Sequence, residues 1–397
     1  MDIFNADLTQ SLFVTAIQRT AQLENLANNA LKTGIDRYIE KDYEGAAVEF
    51  KRAIGLAPNS AYAPDAADYL ANSYLQLGDT ESALKAYKTA IRLNPFRDDM
   101  HGKLGNLYYA EERYQEAETA YKEAVRINPT ANNYYALGQV YLSTERYREA
   151  ENQFNEVHRL EPNSPNGRFG IGLALSMQGR HEDAIRKFEE AIEMKEDFYD
   201  AHAEIGYAYA DLGEMDKAQE IVHFLEFQEE DALADTLSRY MYKVDSPKIV
   251  FAQSGGTFPF LMAPKSPLSA LDAYLATANA SKTFTMVIQF DKEMDRESVE
   301  NVMNWQISRA IGQGPGQAYN FSMPIPSTEI TVTPIPESVY YNEEKLTATV
   351  YFKIQQNAAA DGTIDPLHIE FKFNGKDIYG LEMDPNADQF TGFSGAA

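Results

Sequence analysis

The chain has 397 residues, enough for two or three domains with cores of their own, and its 44% hydrophobic and 24% charged content is that of a globular protein. A formal net charge of −25 without a concentrated basic run excludes nucleic acid and anionic lipid as partners, and leaves basic or neutral protein surfaces. With no cysteine, disulfides, thiolate metal sites and cysteine nucleophiles are excluded.

Residues 1–26 carry an interrupted helical stripe of Leu8, Leu12, Phe13, Ala16, Ile17, Leu23 and Leu26. Two roles fit it: a helix capping the element that follows, or an arm docking on a neighbouring molecule, with Leu12, Phe13 and Ile17 as self-assembly contacts. From residue 27 a two-helix pattern recurs. Its second helix places a small residue, an aromatic and another small residue at i, i+4 and i+7, often followed by proline. The copies are Ala46, Phe50, Ala53, Pro58; Ala83, Tyr87, Ala90, Pro95; Ala117, Tyr121, Ala124, Pro129; and Ala150, Phe154, Val157, Pro162. Two degenerate copies follow at Ala184, Phe188, Ala191 and at Ala218, Val222, Leu225.

In the first helix of each unit a small residue, Gly34, Ala71, Gly105, Gly138, Gly172 or Gly206, marks where the partner helix presses closest. Gly78, Gly179 and Gly213 close the intra-unit corner in three copies. This pattern resembles the tetratricopeptide repeat (TPR), which implies a right-handed α-solenoid and a binding surface rather than a reaction centre. Six repeats and a final capping helix are expected over 27–243, with an insertion around Ala61-Tyr62-Ala63.

After about Lys248 the period changes to two, and residues 244–397 are expected to form an all-β domain. Strands are predicted around Phe284–Phe290, Leu346–Ile354 and Ile369–Phe373, the last ending in an Asn374-Gly375 hairpin turn, with further strands at 248–253, 304–309, 328–333 and 336–341. Phe290, Lys292, Met294 and Asp295, then Ser298, Val299, Asn304 and Trp305, resemble bacterial Ig-like domains of surface-layer type. The resemblance implies a β-sandwich used as spacer, adhesive unit or lattice part. The stretch from Gly312 to Asn320 departs from that pattern as an insert.

Little of the chain suggests chemistry. No G-x-S-x-G, Walker or dinucleotide-binding glycine pattern occurs. His101, His158, His181, His202, His223 and His368 lack metal-ligand spacing and are expected on the surface or in a groove. Asp291, Glu293 and Asp295 mark a solvated strand exit, with calcium as the alternative. No enzyme, cofactor or metal is therefore expected.

The TPR resemblance places Asn72, Gln76, Asn106, Tyr109, Asn132, Tyr135, Gln139, Asn166, Phe169 and Met177 along a concave groove. Their amides and aromatics suit an extended or helical peptide. The groove lacks the lysine pair that chaperone-binding members use to clamp a carboxylate. The expected function is a non-enzymatic interaction scaffold, a self-assembling homo-oligomeric subunit at a bacterial surface or in a filament; the alternative is an intracellular adaptor that binds a partner's peptide. Absent cysteine favours an extracellular place. The N-terminal twenty residues lack the form of a secretory signal, which leaves export by a route that cleaves no signal, a signal already removed, or a cytoplasmic location. No run of 18 apolar residues exists, so no membrane insertion is expected.

Overall fold

The computed structural model describes residues 6–253, 255–312 and 317–392, with side chains from residue 18 onward. Leu12, Phe13 and Ile17 therefore lie outside the described side chains. The chain divides into two compact units, Met1–Ser238 and Arg239–Ala397.

The first unit holds six helix pairs: α1 (Ala6–Ile39) with α2 (Tyr43–Leu56), α3 (Ala63–Gln76) with α4 (Thr80–Leu93), α5 (Asp98–Ala110) with α6 (Tyr114–Ile127), α7 (Ala131–Ser143) with α8 (Tyr147–Leu160), α9 (Asn166–Ser176) with α10 (His181–Met194), and α11 (Tyr199–Asp211) with α12 (Met215–Phe227). A last helix, α13 (Asp231–Val244), contains the division between the units. Helix α1 runs without a break through residue 26 into the first repeat.

Each second helix buries its small–aromatic–small stripe, as at Ala150, Phe154 and Val157. Close approach explains the glycines of the first helices. A Cβ on Gly138 would lie 2.7 Å from the Phe154 ring, and one on Gly172 would lie 2.5 Å from that of Phe188.

All six intra-repeat corners turn through one left-handed residue: Lys41, Gly78, Glu112, Glu145, Gly179 and Gly213. In each, the following N–H donates five residues back, as Asp79 N to Tyr74 O and Arg113 N to Tyr108 O, which closes a Schellman turn. Glycine signalled only half of these corners, because Lys41, Glu112 and Glu145 accept the conformation at a cost of about 1 kcal/mol each.

In the second unit the strands are β1 (Ile249–Gln253), β2 (Ser266–Pro267), β3 (Ser281–Phe290), β4 (Trp305–Arg309), β5 (Ser338–Asn342), β6 (Thr347–Gln355), β7 (Thr363–Ile364), β8 (Ile369–Phe373) and β9 (Gln389–Phe390). They form an antiparallel sheet of order β1-β3-β6-β5, a second of order β4-β8-β9, and the small pair β2-β7. Alternation sends Phe284, Met286, Ile288 and Phe290 of β3 and Ala348, Val350, Phe352 and Ile354 of β6 inward. They meet the other sheet through Phe352–Phe371 at 5.2 Å and Phe290–Phe373 at 5.4 Å between ring centroids. Trp305 is buried on Phe373, with its Nε1–H donating to Val299 O at 2.8 Å.

Three expectations fail here. The 328–333 run alternates like a strand but makes only an isolated bridge, Glu329 to Thr363. Prolines at 324, 326, 334 and 336 bracket it and restrict the backbone a ladder requires. Asn374-Gly375 is not a tight hairpin, since β8 finds its partner only at Gln389–Phe390. The Asn374 N–H instead donates to Asn304 O, and the chain continues to Asp377, which pairs with Lys292 at 2.7 Å. His368 is neither on the surface nor in a groove. It is fully buried, its Nδ1 2.7 Å from the Asp365 carboxylate.

Candidate functional site

The first helices of repeats two to five present the predicted groove residues along one face each: Asn72 and Gln76 on α3, Asn106 and Tyr109 on α5, Asn132, Tyr135 and Gln139 on α7, Asn166 and Phe169 on α9, with Met177 as the cap of α9. The structure gives them unequal roles. Asn72 and Asn106 accept hydrogen bonds from Tyr87 and Tyr121 of their own repeats, at 3.1 and 2.5 Å. Burial pushes both tyrosine hydroxyls up to about 12, so they remain donors at neutral pH. Each Tyr–Asn pair thus ties a second helix to its own first helix, and only part of each asparagine remains for a partner.

Tyr109 reaches the next repeat through Ser143, at 2.8 Å. The Tyr135 ring packs edge-on against Phe154, while Phe169 lies between Phe188 and Phe198. Burial also raises the Tyr135 hydroxyl, with Asp200 adding to the rise against a hydrogen bond from Gln139. Gln76, Asn132, Asn166 and Met177 are exposed. The middle of this face, on α7 and α9, is therefore an uncharged patch of amides over fixed aromatic rings.

Charges flank that patch. Toward the N-terminus, Arg97 pairs with Asp65 at 2.7 Å and Lys103 with Asp68 at 2.6 Å, linking α3 to the next repeat. Toward the C-terminus, Asp200, Glu204, Tyr207 and Asp211 fall on one stripe of α11. Burial, aided by Asp200 and Asp211, pushes the Glu204 carboxyl up to about 7. The i, i+4, i+7, i+11 spacing of this stripe was readable in sequence and was missed because repeat six is degenerate.

Two open clefts of the first unit lie on the opposite side. Leu70 and Tyr74 are each two residues from Asn72, about 200° around the helix. They floor a cleft of 290 Å³ between α2, α3 and α4, and Leu104 and Tyr108 floor one of 330 Å³ between α4, α5 and α6.

In the second unit a 290 Å³ cavity opens beside β4 where the 328–333 run stands off, walled by Arg309, Tyr319 and Ile330. Close by, three consecutive left-handed residues, Asn320, Phe321 and Ser322, bring the Asn320 N–H to Asp365 at 2.6 Å. Asp291 accepts from Lys248 N and Asp295 caps a helical turn through Ser298 N. Among the described residues no group of three or more His, Asp or Glu side chains could hold a metal, and no helix is long and apolar enough to cross a membrane.

Residues 70–132 and 135–194 match one tetratricopeptide repeat family model, and 175–238 match a second. The helical unit carries tetratricopeptide repeats. Proteins built from such repeats are generally non-enzymatic modules that bind protein partners or peptides. No curated protein matches the sequence. Among solved structures, the chain is similar to a tetratricopeptide repeat protein from Parabacteroides merdae, with 16% identity, 55% of this chain and 91% of that chain covered, and a TM-score of 0.47. It is also similar to YrrB, a TPR protein with an unusual peptide-binding site (25%, 48% and 97%, 0.39), and to pilF of Pseudomonas aeruginosa (18%, 55% and 98%, 0.42).

Proposed function

We propose that this protein is a non-enzymatic scaffold whose repeats hold a peptide segment on the concave face and which assembles with copies of itself outside or on the surface of a bacterial cell. The observation that carries the binding role is the uncharged α7–α9 patch, where exposed Asn132 and Asn166 stand beside fixed Tyr135 and Phe169 rings. Amides there can pair with a peptide backbone, and the rings can seat its side chains. Self-assembly draws support from α1, which continues N-terminal to the first repeat and leaves Leu23 and Leu26 exposed. A solenoid's two ends make head-to-tail association available.

The second unit supports the surface reading. Its order β1-β3-β6-β5 against β4-β8-β9 corresponds to A-B-E-D against C-F-G of a constant-type immunoglobulin sandwich. On this reading residues 1–26 are the assembly arm, 27–243 the interaction array and 244–397 an Ig-like domain that spaces or cross-links.

Light scattering over a concentration series, at enough salt to screen a charge of −25, tests the assembly role. The full chain should form oligomers, and removal of residues 1–26 should return a folded monomer. A full-length protein that stays monomeric throughout removes self-assembly and leaves the adaptor reading, which the α7–α9 patch supports without α1.

A further inference from the structure

The two clefts on the far side of the repeats are the same cleft one repeat apart. Leu104, Tyr108 and Ala120 of the second occupy the places of Leu70, Tyr74 and Ala86 in the first, 34 residues on (104−70, 108−74, 120−86). Ile54 and Lys51 of the first correspond to Ile91 and Lys88 of the second. In both, a lysine of the preceding repeat lies over the tyrosine ring: Lys51 over Tyr74 at 5.1 Å and Lys88 over Tyr108 at 5.6 Å. Each cleft therefore has an aliphatic floor, an aromatic wall and a lysine at its rim, but Glu116 and Glu123 also line the second, so only the first is rimmed by cations alone.

The charge of the first cleft points to its occupant. Lys51 and Lys85 line it, both exposed, and no carboxylate does. Neither lysine joins an ion pair among the described residues. Asp79, held as a cap by Ser82 N, is the carboxylate that feels both of them. Two repeats beyond the first cleft, the equivalent lysine is neutralised. Lys122 again lies over a tyrosine, Tyr141, but Glu118 binds it at 2.7 Å and also takes Arg146 at 2.9 Å. A rim of two lysines without an ion pair around an apolar cleft, on a chain of net charge −25, is a local exception that attracts carboxylates.

We propose that this face is a second docking surface, which takes an acidic peptide segment of a partner. Aliphatic side chains of the segment enter the two clefts in register, and its carboxylates meet Lys51 and Lys85. Two clefts of one shape along the array suit a chain with repeated apolar anchors better than a single small molecule, and Glu116 and Glu123 at the second confine the segment's carboxylates to the first. The proposal stands independently of the concave-face reading, which is carried by the α7–α9 patch and uses the opposite sides of α3 and α5.

The test is selection of a phage-displayed random peptide library on the full chain, followed by anisotropy titrations of the enriched peptides carrying a fluorescein label. Enriched peptides should combine Leu, Ile, Met or Phe with Asp or Glu. Their affinity should fall at least tenfold in K51E/K85E and in Thr89→Trp, which fills the first cleft, and should weaken with added salt. It should stay within twofold in Asn132→Arg/Asn166→Arg, which blocks the concave patch. Circular dichroism of each variant checks that the repeats remain folded. No enrichment, enrichment of basic peptides, or affinity unchanged in K51E/K85E would each overturn the proposal. Peptides lost only in Asn132→Arg/Asn166→Arg would overturn it while supporting the concave face.

Discussion

Two glycines inside repeat helices separate close packing from simple helix propensity. Gly102 lies within α5, where an added Cβ would meet only Asn133 Oδ1 at 3.9 Å. Gly138 lies within α7, where the same atom would be 2.7 and 2.8 Å from two ring carbons of Phe154. Carbon atoms pack at about 3.5–4.0 Å, so the ring would have to retreat by roughly 0.8 Å. It has nowhere to go. Phe154 is fully buried, Gly170 presses on it from the next repeat, and Tyr135 packs on its edge.

Replacing either glycine with alanine gains about 0.5–1 kcal/mol of helix propensity, which cancels in the comparison. What remains is an overpacking cost of about 1–3 kcal/mol at position 138 alone. For a unit of this size 1 kcal/mol moves the midpoint by about 2–4 °C. Gly102→Ala should therefore melt above the parent protein, and Gly138→Ala about 2–12 °C below Gly102→Ala, by far-UV circular dichroism. Gly138→Leu should fall further. A Gly138→Ala protein melting with or above Gly102→Ala would refute the packing argument and the repeat register behind it.

Three other predictions use different parts of the molecule. The raised Glu204 carboxyl binds protons in the folded state that the unfolded chain has released, so stability should fall as pH rises from about 4.5 to about 7; Glu204→Gln should flatten the fall in melting curves. Lys292→Met leaves the buried Asp377 carboxylate without its cation and removes the donor to Tyr242 O and Asp245 O, which should cost about 3–5 kcal/mol in urea unfolding of the second unit. Trp305, the single tryptophan, should emit blue-shifted fluorescence that moves red on unfolding, since its indole is buried and bonded to Val299 O.

The repeat array was legible because each small–aromatic–small stripe is a local pattern repeated at a fixed interval, and each copy corrects the reading of the others. The strands of the second unit with clean alternation, such as Phe284 to Phe290, were legible for a similar reason. The 328–333 run shows the limit. Its alternation was as good, but a strand needs a neighbouring ladder, and flanking prolines with one bridge to Thr363 withhold it. Nor could spacing reveal that Asn374-Gly375 yields to a buried ion pair formed by residues 292 and 377.

Among the groove residues, the repeat resemblance assigned a helix face to each but not how much of each side chain is available. Asn72 and Asn106 looked free because their partners, Tyr87 and Tyr121, belonged to the core stripe, and a core tyrosine still has a hydroxyl to satisfy. The far-side clefts were hidden for the complementary reason. Leu70, Tyr74 and their equivalents occupy positions that the pattern assigns to packing, and a pattern does not record whether packing fills the space. The side chains that rim a cleft decide that. Glu118 neutralises Lys122 and Arg146 at the third register, while the corresponding place near Lys51 and Lys85 has no such bridge. A repeat protein can thus keep one fold along its whole length and still change the charge of one face from register to register, through two or three charged residues that the fold itself does not constrain.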